Sequence, residues 1–199
     1  MINKRLEGFK IILASRSPRR QYLLKELGLD FEIIPTDVQE SYPDTLTPVQ
    51  IACFLADQKA DTFDTSGMET KMIVIAADTI VSLHGEILGK PGSYQEAVTM
   101  LKKLSGKRHE VITGVCIKSR HKKNSFYVTS RVCFKELCDK EIDYYVNHFR
   151  PFDKAGGYGI QEWIGYIGIS KIEGSFFNVM GLPVKEVYEE LLKNYSYLC

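Results

Sequence analysis

At 199 residues the chain has room for one sizeable core, or for two small lobes of a single domain spanning residues 1–199. Hydrophobic residues make up 44% and charged residues 26%, an ordinary globular balance, and the net charge of +1 argues against a broad surface for nucleic acid or anionic membrane. No apolar stretch approaches the roughly 20 residues that span a bilayer, and the N-terminus lacks the apolar core of a signal peptide, so a cytoplasmic location is expected. The five cysteines are scattered, without a C-x-x-C pair, and four lie in apolar segments as small core residues. His84, His109, His121 and His148 are equally dispersed and show no zinc-ligand spacing.

The first strand is the apolar run Phe9 to Leu13, and Ala14-Ser15-Arg16-Ser17-Pro18-Arg19-Arg20 follows it directly. Ser17 reads as an N-cap with Pro18 at the first helical position, and Gly28 ends the helix. Arg19 and Arg20 therefore sit in a first turn, where free N–H groups and the dipole favour an anion. Their planar forks suit phosphate oxygens, although two solvated arginines would satisfy the same pattern. Phe31 to Ile34 is a short strand, and a polar loop with Asp37, Glu40 and Asp44 comes next. Thr47-Pro48-Val49-Gln50 is a capping box that opens a helix through about Ala60.

Beyond the polar stretch Asp61 to Lys71, Met72 to Ala77 is fully apolar and reads as a central strand ending in Ala77-Asp78-Thr79. In α/β sheets ligands bind beyond the carboxyl ends of such strands. A carboxylate there can hold a divalent cation or take a proton from water, or it can simply cap a turn. His84-Gly85 is a tight hairpin turn, and Leu88-Gly89-Lys90-Pro91 stiffens the chain around a lysine suited to phosphate or to solvent. A second capping box, Ser93 with Glu96, opens a helix through Leu104, which Gly106 closes.

Two long antiparallel strands follow, His109 to Lys118 and Phe126 to Phe134, and His109 reads as a structural hydrogen-bonding residue. Asp139 caps a helix through Phe149, Ile164 to Ile172 is strand-like, and Pro183 opens the last helix. Between them, Asp153-Lys154-Ala155-Gly156-Gly157-Tyr158-Gly159-Ile160-Gln161 places three glycines in four positions, which demands a sharp bend or a close approach. The Gln161 amide can both donate to and accept from a base edge. Gly174 to Pro183 carries two phenylalanines that wall a base pocket or, as the favoured reading, pack the core. The layout is a mixed α/β sheet.

Taken in order, A-S-x-S-P-R-R, A-D-T, G-K-P, L-S-G-x-x-H-x-V-x-T-G-V, D-K-A-G-x-Y-G-I-Q and G-L-P resemble the Maf family of nucleoside triphosphate pyrophosphatases from Ile11 to about Leu192. The resemblance implies a bent mixed sheet in two lobes around a cleft, similar to inosine triphosphatases. It further implies hydrolysis of nucleoside triphosphates to monophosphate and pyrophosphate with Mg²⁺ or Mn²⁺. The family's general base matches Asp78, with Glu40 a second acidic group and Lys90 beside the reacting phosphates. Its phosphate-binding and specificity residues fall on Ser15, Arg19, Arg20, Lys59, Thr79, Lys90 and Gln161, and Lys154 is placed to reach the phosphates. The form D-K-A-G-x-Y-G-I-Q resembles the branch acting on dTTP and UTP. One departure is Glu162-Trp163, where relatives commonly carry glycine after the glutamine.

In that reading Asp78 and Glu40 hold the metal, Asp78 orients water for attack at the α-phosphorus, and the basic residues offset the charge. A non-catalytic nucleotide-binding regulator of cell division would use the same pocket, and only turnover separates the two. The expected partner is a nucleoside triphosphate, with no nucleic acid or membrane, and whether the chain forms a homodimer stays open.

Overall fold

The computed structural model describes residues 2–64 and 71–195. The first half runs α1 (Ile2–Arg5), β1 (Lys10–Leu13), α2 (Pro18–Glu26), β2 (Glu32–Ile33), α3 (Pro48–Asp61), β3 (Met72–Leu83) and β4 (Glu86–Leu88). Then come α4 (Tyr94–Leu104), β5 (Arg108–Ser119), β6 (Lys123–Phe134) and α5 (Asp139–Phe149). A 3₁₀ turn (Ala155–Gly157), α6 (Trp163–Gly168), β7 (Ile169–Glu173), α7 (Phe176–Met180) and α8 (Val184–Tyr195) complete the chain. The strands form one open mixed sheet in the order β2-β1-β3-β5-β6-β7, with β4 paired to β3. The α/β class and the mixed sheet agree with the sequence.

Packing divides the chain into two compact units. The first contains residues up to Asp78, Thr113–Val128, and the chain from Gly181 onward. Here β1 lies parallel to β2 and to β3, pairing Ile12 with Val74 and Leu13 with Ile75. Helix α3 begins as its sequence requires: Thr47 Oγ1 accepts the Gln50 N–H, and the Gln50 side chain accepts the Thr47 N–H at 2.9 Å. Its inner face joins Ala56 and Ala60 to Ile12, Ala14, Val74, Ala76 and Cys116 in one apolar cluster. The approach is very close, because a Cβ on Gly114 of β5 would lie 2.3 Å from the Ala52 carbonyl. The far end of α3 is tied down by Lys118, whose ammonium donates to Asp61 and to the Phe63 carbonyl, both at 3.0 Å.

The second unit contains Thr79–Ile112 and Thr129–Met180. The β3–β4 hairpin turns at His84 and Gly85, both at positive φ (52° and 90°), which matches the twist of the strands it joins. Helices α4 and α5 pack on each other and bury Leu101, Leu104, Ile142 and Val146. Strand β7 adds to the edge of β6, pairing Val132 with Ile172.

Several local expectations differ. Ile164 to Gly168 is helical rather than strand-like, because Gly165 lies so close to the Ile160 carbonyl that only a turn without a Cβ fits there. Cys138, not Asp139, is the N-cap of α5, and the Glu141 carboxylate accepts its N–H at 2.9 Å. At α4 the box is half formed: Ser93 accepts from Glu96, but the Glu96 carboxylate turns to the N–H of Gly92. Phe176 and Phe177 do not pack the core; α7 is one short turn that buries Asn178 and Met180 and leaves both rings 40% and 47% exposed. Of the described cysteines only Cys116 is fully buried, Cys53 and Cys133 are half-buried and Cys138 is exposed; Cys199 lies outside the described residues. Strand β2 shrinks to two exposed residues. Among the described residues no helix is long and apolar enough to cross a membrane.

Candidate active site

Six of the residues singled out from sequence lie in the first unit, and three of them meet at one ammonium. Asp78 ends that unit's part of β3 and is only 7% exposed, so its carboxylate needs a partner. Lys59, on the last turn of α3, supplies it: Nζ donates to Asp78 Oδ1 in a very short contact and to Glu40 Oε1 at 3.0 Å. The Lys59 side chain is 12% exposed and that of Glu40 40%, so the pair is buried on one side and open on the other. Two carboxylates thus converge on one cation-sized position.

The loop from β1 to α2 contributes the anion-binding features. Ser17 is in extended conformation, its hydroxyl accepts the Arg20 N–H, and Pro18 starts the helix. Ser15 is buried, and its hydroxyl accepts the Ser17 N–H at 3.1 Å, which holds the loop turned into the helix start. Arg20 Nε donates to the Gly181 carbonyl at 2.8 Å, a tie between α2 and the segment before α8. Burial lowers the Arg20 guanidinium's affinity for its proton, the nearby Asp78 and Glu40 charges oppose that, and Arg19 adds to the lowering. Arg19 is half-buried beside it. The structure therefore groups Arg19, Arg20, Glu40, Lys59 and Asp78 electrostatically, with Ser15 in the supporting loop.

Thr79, Lys90, Lys154 and Gln161 lie in the second unit. Thr79 follows Asp78 on β3 and is half-buried, and Lys90 is exposed. The lysine's loop is anchored, since the Gly89 carbonyl accepts the N–H of Gly156 at 3.0 Å. Gly156 needs its positive φ of 72°, and a Cβ there would press on Val81 at 3.0 Å. Lys154 is 8% exposed, and its ammonium is held between Asp153 at 2.6 Å and Glu162 at 3.1 Å. Gln161 Oε1 is buried and finds no hydrogen-bond partner among the described residues. An orphaned buried acceptor is costly, by about 1–3 kcal/mol, unless something else donates to it.

His109 behaves as a structural group. It is 2% exposed, Nε2 bonds the Tyr158 hydroxyl at 2.8 Å, and burial pushes its pKa down to about 4. Sequence reasoning missed Tyr145 and gave Glu162 no role, yet both bond within the glycine-rich turn. Trp163 packs against Tyr144, ring centroids 4.7 Å apart. Among the described residues no three His, Cys, Asp or Glu side chains cluster as metal ligands.

The sequence matches the Maf-like protein family over residues 10–194. A dTTP/UTP pyrophosphatase of Parabacteroides distasonis is 50% identical over 187 residues, covering 94% of this chain and 96% of that protein. One from Phocaeicola vulgatus is 51% identical over 190 residues, with 94% and 97% covered. A third, from Flavobacterium psychrophilum, is 48% identical over 194 residues and covers 98% of this chain and 99% of its own. Among solved structures, the Ham1 protein of Staphylococcus aureus aligns at TM-score 0.44 and 18% identity over 63% of this chain and 71% of that one, too slight a likeness to argue from.

Proposed function

We propose, from the premise that this chain belongs to the Maf family, that it hydrolyses dTTP and UTP to the monophosphate and pyrophosphate. The observation that carries the reading is the buried Asp78 carboxylate, which shares the Lys59 ammonium with Glu40 beside Arg20. Asp78 orients a water and takes its proton as the oxygen attacks the α-phosphorus; the α–β bridging P–O bond breaks and pyrophosphate leaves. Arg19 and Arg20, at the start of α2, meet the charge that grows on the phosphate oxygens, and Lys90 adds a point charge. Thr79 and Ser15 supply hydroxyls to the substrate, and Lys59 holds the buried Asp78 carboxylate in place through their hydrogen bond. Lys154, gripped by two carboxylates, holds the glycine-rich turn in register.

A divalent cation fits this donor set. Asp78 and Glu40 already converge on one cation, and Mg²⁺ characteristically takes one or two carboxylates and completes its shell with water and substrate phosphates. When bound, Mg²⁺ or Mn²⁺ would neutralise charge on the phosphate oxygens. The nearly neutral chain supports a role on free nucleotides rather than on nucleic acid.

Base choice follows from Gln161. Turned towards a bound base, the Gln161 amide can accept the N3–H of thymine or uracil at Oε1, which has no partner among the described residues, while its N–H donates to O4. Cytosine presents the reverse edge, a mismatch worth roughly ten- to a hundredfold. Pyrophosphate release from dTTP, UTP, CTP and GTP, in wild type and Gln161→Ala, tests the reading. A preference for dTTP and UTP that Gln161→Ala abolishes is expected. Equal rates on CTP and UTP would overturn the base-edge argument, and absence of turnover on every triphosphate would overturn the enzyme.

A further inference from the structure

We infer that Glu162 is a positioning residue for base selection: it locks the turn that presents Gln161. The inference rests on the base-edge reading of Gln161 and adds a second residue to it. Glu162 closes the turn Gly159-Ile160-Gln161-Glu162 through its own N–H, which donates to the Gly159 carbonyl at 3.0 Å. The side chain then folds back over the turn. One carboxylate oxygen lies 3.1 Å from Lys154 Nζ, at the start of the glycine-rich segment. The other accepts a short hydrogen bond from the Tyr145 hydroxyl of α5. Tyr145, fully buried, accepts in turn the Gly159 N–H at 2.9 Å.

The carboxylate therefore ties the turn to α5 on one side and to Lys154 on the other. Space enforces the arrangement as well, because a Cβ on Gly159 would meet Glu162 Cδ at 2.7 Å. The carboxylate occupies the volume that glycine leaves open. Gln161 sits within this closed loop, between buried Ile160 and the anchored Glu162, with its own Oε1 buried and unmatched. A side chain that must match a base edge needs its backbone fixed to a fraction of an ångström. The Glu162 clamp supplies that constraint without touching the nucleotide.

The test measures kcat/KM for dTTP, UTP and CTP, with thermal unfolding, in wild type, Gln161→Ala, Glu162→Ala, Glu162→Gln and Tyr145→Phe. Glu162→Ala should collapse the ten- to hundredfold preference for dTTP over CTP to within about threefold. The kcat on dTTP should fall far less than that ratio does. Glu162→Gln, which keeps the shape but not the charge for Lys154, and Tyr145→Phe should each lose part of the preference. A merely structural role would lower the rates on all three nucleotides together and leave their ratio intact, which would overturn the inference. Should Glu162→Ala not fold, an unchanged ratio in both Glu162→Gln and Tyr145→Phe overturns it equally. Selectivity lost in Gln161→Ala but kept in the Glu162 variants sinks the positioning role alone. Selectivity that survives Gln161→Ala sinks the base-edge reading, and the present one with it.

Discussion

Two lysines in this molecule each lie between two carboxylates, and their surroundings differ. Lys59 is shared by Asp78 and Glu40, and Lys154 by Asp153 and Glu162. Around the first stand further charges, Arg20 and Arg19, and the Glu40 side chain is 40% exposed on a loop. Around the second, Asp153 is 58% exposed but Glu162 only 19%, and Glu162 is enclosed by a buried tyrosine hydroxyl, a glycine whose open volume its carboxylate fills, and backbone hydrogen bonds. An ion pair whose partners are also charged and partly wet can exchange one cation for another as ligands arrive. One laced into neutral, satisfied groups cannot move without breaking several bonds at once. The same chemistry thus makes the proposed reactive centre in one unit and a structural clasp in the other.

The largest expected effect breaks the first side of that contrast. Asp78→Asn should lower kcat by on the order of 10²–10⁴-fold with the fold retained, read as pyrophosphate release from a protein of native circular dichroism. More than about a tenth of wild-type turnover in that variant would remove Asp78 from the chemistry. Arg20→Ala comes next, with a loss of roughly 2–4 kcal/mol in transition-state stabilisation. Because Arg20 also donates to the Gly181 carbonyl, its Tm should drop more than that of Arg19→Ala. Equal Tm values for the two would mean that this tie carries no stability.

In the second unit, acid should act through His109, which lies outside the clasp and bonds the Tyr158 hydroxyl. His109 has its pKa pushed down from 6.5 to about 4 by burial, so between those values the unfolded chain binds the proton and the folded chain does not. Stability is therefore complete above pH 6.5 and declines as pH falls towards 4, by about 3 kcal/mol in all. His109→Gln should flatten that limb in urea titrations at pH 7 and pH 4.5; an unaltered pH dependence would assign the acid sensitivity elsewhere. The smallest effect sharpens the first region internally. Glu40→Gln removes the exposed half of the Lys59 pair and should cost no more than about 1 kcal/mol of stability, within reach of a denaturant titration. A larger loss would mean that this pair is less exchangeable than its exposure implies.

Much of the framework was legible because it is written locally. The Thr47 box, the Ser17-Pro18 helix start, the His84-Gly85 turn and the apolar run into Asp78 each depend on residues a few positions apart. The clasp was not, since Glu162 finds Lys154 eight positions back and Tyr145 seventeen, pairings that leave no periodic trace. Read in sequence, Glu162 is only a departure beside Gln161. Lys59 was marked by family resemblance alone, being one more polar residue on a helix whose other face is apolar. Phe176 and Phe177 misled in the opposite sense, because apolar character permits burial but does not compel it when the helix that carries them is a single turn.

Gly114 reaches further than its size suggests. The backbone of α3 at Ala52 rests against it with no room for even one methyl group. Seven residues along the same helix stands Lys59, whose ammonium must meet Asp78. Inserting a methyl at Gly114 would wedge the helix outward, at a cost of roughly 1–3 kcal/mol for the overpacking alone, and would swing that ammonium off its mark. The alignment of the proposed reactive centre is in this sense inherited from a contact between two backbones. A silent-looking exchange to alanine on β5 would disable the chemistry without altering any charged or polar group.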